Sequence, residues 1–489
     1  LITTTDLLAK ALNDGWNIRI FLFCALLGGL VGMLSKTGAS GALGVWAGKR
    51  LSTGKSSQLM AWFFGLVIFI DDYFNSLTVG TIMRPITDKN RVSRAKLSYI
   101  LDSTAAPVCI IAPISSWVVT VMSVVKGSDR FADLGIGEFE FFIRSIPYNL
   151  YALLTILMVV VVAVTNRNFG PMAASERLAR EGGPLWNAER YGAAPGDVEH
   201  AENPRARAFD MLFPIVVLIA AALVFFPLTT WLKAVGGEGV ATLGQAVFSI
   251  PLARAFNDTD ASVALFYSAV FTLVITYAYY VARRLLSVKT ASESLKDGIA
   301  SMVPALVILT MAWTIGGVIK ASPEDGGLGL AKYLAEIVVG GEFPIWLLPS
   351  VAFILSALIS FSTGTSWGTF TIMIPIVLPI VASLAEARGL SGSALINAVM
   401  IGVAAVLSGA VFGDHASPIS DTTILSSTGA GCPHLEHVAT QLPYALFVAG
   451  VSLAGFVVGG IVLNGIAALA AALAIFVLGM VILPKAYAK

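Results

Sequence analysis

Residues 411–427, VFGDHASPISDTTILSS, carry two carboxylates (Asp414 and Asp421), an imidazole (His415), a proline and six hydroxyl side chains. Apolar runs flank them, from 395 to 411 before and from about 438 after. Polar and ionisable groups at bilayer depth are costly, so they face a protein interior or a wet cavity and serve an ion or a substrate. This stretch therefore reads as half of a transport site. A carboxylate can exchange a proton for a cation, because burial disfavours its charged form and a neighbouring like charge does so further. Asp71, Asp72 and Asp102 offer the same chemistry elsewhere in the chain. Asp414 and Asp421 stand seven apart, which is nearly one face of a helix, but Pro418 lies between them. Asp72 and Asp421 read equally as helix caps. His415 either titrates near neutral pH or only supplies hydrogen bonds.

Two further stretches are rich in small oxygen-bearing residues. One holds Asn75, Ser76, Thr78, Gly80 and Thr81, and the other holds Ser362, Thr363, Gly364, Thr365, Ser366, Gly368 and Thr369. Hydroxyls, amides and freed carbonyls are hard ligands for an alkali cation. Helix N-termini at chain breaks favour an anionic group. The same parts suit Na+, a carboxylate, or both.

The elements that must position these groups are membrane helices. Hydrophobic residues make up 56% of the 489 and charged residues 12%, with a mean hydropathy of +0.82 and a net charge of +1. That charged fraction is about half of what soluble domains carry, and apolar runs of about 18 to 25 residues recur. The expectation is an all-α polytopic protein of a cell membrane, of the bacterial inner-membrane kind, with the lipid bilayer as its surroundings. No basic tract points to nucleic acid. Cys24, Cys109 and Cys432 lack metal-type spacing and read as small core residues. The chain opens on Leu1 with no cleavable signal segment, so a further span upstream is an expectation.

Basic clusters (Lys49, Arg50, Lys55; then Arg84, Lys89, Arg91, Arg94, Lys96) flank residues 57–88 on both sides. Both belong in the cytoplasm by the positive-inside rule. Residues 57–88 must then enter and return as a re-entrant hairpin with its tip near 72–79. Residues 97–125 follow as a broken helix, because Pro107 interrupts the run. A span over 142–164 completes a first repeat, 1–165. Residues 166–208 carry six arginines and six acids and read as a cytoplasmic linker with little fixed structure. The second repeat, 209–489, has spans over 211–232, 261–281 and 299–318, a hairpin over 343–384 and a broken helix over 395–428. Final spans cover 438–463 and 466–483. Asp258 and Asp260 read as interfacial caps.

Two matches tie the halves together. TIMRPI (81–86) answers TIMIPI (371–376), and APVCIIAPISS (106–116) answers SPISDTTILSS (417–427), which aligns Pro107 with Pro418 and leaves Asp102 and Asp414 one residue out of register. Counting spans turns the second half over. Inverted repeats whose hairpin tips and broken helices meet at mid-membrane are a transporter pattern.

The stretches GDHASPISDTTILSS, STGTSWGTF with TIMIPI, and DDYFNSLTVGT resemble the NhaC-type sodium/proton antiporter family, over about residues 59–446. The resemblance implies a scaffold part and a moving transport part with elevator-type alternating access, and a homodimer through the scaffold. It implies Na+/H+ exchange, with Na+- or H+-coupled exchange of a small organic solute (a carboxylate, amino acid or amine) as the alternative. Its motif positions here are Asp71, Asp72, Asn75 and Thr78, then Ser362, Thr363, Thr365 and Ser366, then Asp414, Ser417, Ser420, Asp421 and Thr422. With Asp102 and His415 these form the candidate site. Na+ is expected on a subset of Asn75, Thr78, Ser362, Thr365, Asp414 and Asp421, as transported or coupling ion, with no other cofactor. An enzyme is not expected. There is no HExxH, and GTSWG (364–368) matches GxSxG without the strand–turn–helix that motif needs. A channel would need a continuous pore rather than a closed site built twice.

Overall fold

The computed structural model describes residues 2–193, 203–236, 241–257, 259–320, 322–325, 328–341 and 343–486. Its described residues are helical with no strand, and nine of its helices are long and apolar enough to cross a membrane. The helices used below are α1 (Gly15–Lys36), α2 (Ala39–Gly48), α3 (Gly54–Val67), α4 (Asp72–Lys89), α5 (Arg94–Thr104), α6 (Ala106–Cys109), α7 (Ser116–Gly127), α8 (Glu138–Ser145), α9 (Leu150–Thr165), α10 (Gly170–Arg180) and α11 (Ala208–Ala234). They continue as α12 (Ala261–Ala282), α13 (Val288–Ser301), α14 (Leu348–Thr363), α15 (Ser366–Ala387), α16 (Gly392–Ala416), α17 (Asp421–Ala430), α18 (His434–Val462) and α19 (Gly465–Ala486).

Helix α16 is the centre. Of its most apolar window 83% is buried, against 28% for α19, so α16 is wrapped by protein and α19 faces outward. Outer helices such as α11 and α19 expose Val216, Leu223, Val224, Ile466 and Leu478, the apolar surface a bilayer covers.

Helices α3 and α4 meet at both ends. At the tip, the Asn75 amide of α4 donates to the carbonyls of Gly65 (2.7 Å) and Ile68 (2.9 Å). At the base, the Asn90 amide donates to Ser57 Oγ (2.8 Å). The pair is a hairpin, and α3 has 14 residues, about 21 Å of helix, short of a core about 30 Å thick. Thr53 and Ser56 open α3 with a capping box, and Asp71 caps α4. In the second hairpin α14 ends on Gly364, whose φ of 68° is left-handed, and Thr365 caps α15. A Cβ on Gly364 would stand 2.8 Å from the Ile419 carbonyl oxygen, so glycine is needed both for the turn and for the close approach. At the base of that hairpin Arg388 donates to the Phe343 carbonyl (3.4 Å).

Residues 97–125 break twice. Ala105 leaves helical geometry with φ −86° and ψ −91°, and the chain is again non-helical before α7. Helices α16 and α17 are separated by residues 417–420.

Three expectations are corrected. The span over 142–164 divides into α8 and α9 around Pro147, which has no N–H to continue the ladder. The segment 166–208 is not without fixed structure. Its α10 docks on the body through Glu176, whose Oε1 accepts from Ser93 N and Oγ (both 2.8 Å). Ser175 donates to Glu436 (2.8 Å), as does Asn187 N (3.0 Å). The last correction concerns the start of the 438–463 span, since α18 begins at His434. Asp260 caps α12, accepting from Val263 N at 3.3 Å, while Asp258 lies outside the described residues.

Candidate functional site

Both hairpin tips close on α16, α17 and the start of α7. In the first tip, Asp71 Oδ1 accepts from Phe74 N (3.1 Å) as a cap, and its side chain is buried. Asp72 Oδ1 accepts from Trp117 Nε1 of α7 (2.9 Å), while Asp72 Oδ2 is buried without a protein partner. The Asn75 amide also donates to the Thr104 carbonyl (3.1 Å). Three carbonyl acceptors fix the amide's orientation, so its oxygen is the atom left over, buried and without a partner. Two hard oxygens, Asp72 Oδ2 and Asn75 Oδ1, are thus held one helical turn apart with no donor. Buried acceptors of this kind call for a bound group.

In the second tip, Ser366 Oγ donates to Asp414 Oδ2 (2.8 Å) and lies 3.1 Å from the Ala410 carbonyl. Ser417 donates to the Phe361 carbonyl (2.9 Å). Ser420 caps α17 through Thr423 N (3.3 Å) and meets Thr422 Oγ1 (2.9 Å). The hydroxyls of Ser362 and Thr363 donate to the carbonyls of Leu358 (2.7 Å) and Ile359 (2.8 Å) in their own helix, and both residues are exposed. Thr365 accepts from Gly368 N (3.4 Å). Asp421 is exposed and accepts from Tyr73 OH (3.2 Å), which ties α17 to the first tip. The backbones of α4 and α17 touch where a Cβ on Gly80 would stand 2.6 Å from the Gly429 carbonyl carbon, and Ser426 donates to Ser76 (3.1 Å).

A cavity of about 430 Å³ opens beside the first tip. Asp71, Tyr73, Thr78 and Thr81 line it from α4, facing Val31 of α1 and Ser301 of α13. Asp102 and His415 lie elsewhere. Asp102 Oδ2 accepts from His437 Nε2 (3.1 Å) and Gln441 Nε2 (2.7 Å). His415 is held by Tyr151 OH at Nδ1 (2.7 Å) and Ser103 Oγ at Nε2 (3.3 Å). The sequence reading missed Trp117, Tyr151, His437 and Gln441. The usable signal for the last two is HLEHVATQ, where His434, His437 and Gln441 share one helical face. Among the described residues no three His, Cys, Asp or Glu side chains converge as a metal-binding group. A cation site here would therefore need amide, hydroxyl and carbonyl oxygens around a carboxylate.

Ser115 and Ser420 each cap a helix that resumes after a non-helical stretch. Cys109 Sγ donates to the Phe69 carbonyl at the first tip (3.4 Å).

A profile of the Na+/H+ antiporter family matches residues 108–461. An uncharacterized protein of Haemophilus influenzae is 38% identical over 458 residues, covering 93% of this chain and 81% of that one. An uncharacterized Na(+)/H(+) antiporter of the same organism is 33% identical over 31% of this chain and 28% of its own. The malate-2H(+)/Na(+)-lactate antiporter of Bacillus subtilis is 29% identical over 36% of this chain and 34% of its own. With a match over most of its length, this multi-pass membrane chain belongs to the Na+/H+ antiporter family.

Proposed function

We propose that this protein is a secondary-active antiporter that exchanges Na+ for protons, with the cation held between the hairpin tips. The observation that carries the reading is the pair of buried, unpartnered oxygens, Asp72 Oδ2 and Asn75 Oδ1, beside Asp71 at the first tip. Several carboxylates crowded away from water cannot all stay charged, so a proton or a cation must neutralise part of them. Lower pH then weakens Na+ binding by competition.

The inverted-repeat reading is supported by how the parts touch. Helix α5 lies beside its own hairpin through Thr104 and Asn75, while α7 lies against the other hairpin through Trp117 and Trp367 (5.7 Å between rings). Helices α16 and α17 do likewise, α16 beside its own hairpin through Asp414–Ser366 and α17 against the first hairpin through Ser426–Ser76. In the elevator reading α1, α11, α12 and α13 are the scaffold, and the cavity lies between it and the moving tips. Helices α1 and α13 pack glycine on glycine, at Gly32 and Gly298.

The cavity favours a second reading on the same site. A volume of about 430 Å³ far exceeds the ~30 Å³ share of a single water and falls in the range of small-molecule sites, ~300–1,000 Å³. A small organic solute would sit there against Asp71, Thr78 and Thr81, with Na+ or H+ as the coupling ion. Counterflow in proteoliposomes separates the two. Vesicles loaded with unlabelled Na+ should take up 22Na+, and the rate should respond to an imposed pH gradient without added metabolite. Exchange only with a loaded carboxylate, amino acid or amine would establish the second reading. Neither form of exchange would defeat both.

A further inference from the structure

We propose that the groove between α2 and α4 binds an anionic phospholipid of the cytoplasmic leaflet, with one acyl chain lying along the helices and the headgroup phosphate held by Lys49 and Lys89. The site is separate from the exchange chemistry and stands whichever ion or solute is carried.

The groove has a volume of about 440 Å³. Ile82, Pro85 and Ile86 of α4 form one wall, and Gly44, Val45 and Gly48 of α2 the other. Lys49 and Lys89 line one end, where α2 and α4 stop. By the positive-inside rule that end is cytoplasmic. Ser40 and Thr81 line the other end and also line the cavity beside the first tip, so the groove runs inward from the cytoplasmic face toward the tip. The ten residues of α2 make about 15 Å of helix, half of a hydrocarbon core about 30 Å thick. The groove is therefore as long as one leaflet is deep. On its outer side Val45 and Trp46 are exposed, at 62% and 40%, and the Arg50 guanidinium lies 4.5 Å over the Trp46 ring. Tryptophan beside basic residues marks the level of lipid headgroups.

The glycines of α2 leave space rather than pack. In α1, a Cβ on Gly32 would stand 2.3 Å from the Ser294 carbonyl oxygen, so contact with α13 requires glycine there. In α2, a Cβ on Gly44 would lie no closer than 3.5 Å to Ile82, and one on Gly48 no closer than 3.7 Å to Ile86. Glycine weakens a helix interior, and here no neighbour demands it. The charge at the mouth selects the occupant. Both lysines are exposed, and Asp88, the carboxylate adjoining Lys89, is taken by Arg94 at 3.1 Å. Basic pockets between helices on the cytoplasmic side hold anionic headgroups. A soluble anion would use the lysines and leave the apolar length uncovered, whereas a neutral lipid would fill that length and leave the lysines without a counter-charge. An anionic phospholipid satisfies both.

The test is saturable binding of tail-spin-labelled phosphatidylglycerol, against tail-spin-labelled phosphatidylcholine, to the full purified chain in neutral detergent. At about fivefold per lysine, phosphatidylglycerol should half-saturate at roughly 25-fold lower concentration than phosphatidylcholine. In Lys49→Gln/Lys89→Gln the two lipids should come within about twofold of each other. Gly44→Leu, which fills the groove with no backbone clash, should lose saturable phosphatidylglycerol binding. In nanodiscs containing phosphatidylglycerol, Gly44→Cys should not react with a water-soluble thiosulfonate, and the three native cysteines are buried. Equal half-saturation of the two lipids in the wild type, or no saturable binding, overturns the proposal. So does the same preference persisting in the lysine variant, or undiminished binding in Gly44→Leu. Rapid reaction of Gly44→Cys would make the groove a water-filled solute passage and overturn it as well.

Discussion

Replacing Asp414 with Asn removes one negative charge from the second tip while keeping the shape of the side chain. A cation about 4 Å from that carboxylate, at an effective dielectric constant near 20, is held by about 4 kcal/mol. At about 1.4 kcal/mol per decade, the loss amounts to close to 10³-fold in Na+ affinity. Ser366 supplies the scale for the partner. Its hydroxyl donates to Asp414 Oδ2 at 2.8 Å, and both residues are buried. Such a bond to a charged group contributes about 1.5–3 kcal/mol, so Ser366→Ala alone should weaken Na+ about 10- to 150-fold. In the Asp414→Asn background the same change should cost under about 0.5 kcal/mol, because the charged acceptor is gone. The assay is the half-saturating Na+ concentration for 22Na+ exchange by purified protein in liposomes, measured for both single variants and the double. Fully additive losses would refute the coupling. An unchanged half-saturation in Asp414→Asn would remove that carboxylate from the site.

Trp117→Phe deletes the donor to buried Asp72 Oδ1, and at about 1.5–3 kcal/mol should raise half-saturating Na+ at least tenfold near neutral pH. An unchanged half-saturating Na+ concentration in this variant would contradict the placement of Asp72 at the cation. Gly364→Val puts a β-branched residue at φ 68° with its Cβ 2.8 Å from the Ile419 oxygen. About 1–2 kcal/mol of backbone strain plus that clash should lower the melting temperature and abolish exchange, while unchanged melting and flux would mean the tip is looser than described. Tyr73→Phe removes a 3.2 Å bond to an exposed carboxylate, Asp421. Half-saturation should change less than about fivefold, within the ~1 kcal/mol of an ordinary hydrogen bond, and a loss as large as that of Asp414→Asn would place Asp421 at the cation.

Much of the tips was legible because their signals are local. Asp71 caps the helix it begins, Gly364 ends a helix in left-handed geometry, and Thr365 caps the next one. Acids and hydroxyls breaking apolar runs mark such places regardless of tertiary structure. The caps of the helices that resume after a break, Ser115 and Ser420, were also local signals. The Asp102–His437–Gln441 cluster was not legible, since its members stand 335 and 339 residues apart and meet only through packing of α5 on α18. The docking of α10 was hidden for the same reason. Its anchors Ser93 and Glu436 lie in distant segments, while its own composition reads as a solvated loop.

The central claim is tested most directly by 22Na+ uptake into proteoliposomes driven by an outward proton gradient, comparing the wild type with Asp72→Asn. The account predicts saturable uptake that collapses when the pH gradient is dissipated and is lost in the variant, whose first tip no longer offers a charged oxygen beside Asn75. Uptake that does not saturate, ignores the proton gradient, or persists undiminished in Asp72→Asn would contradict it.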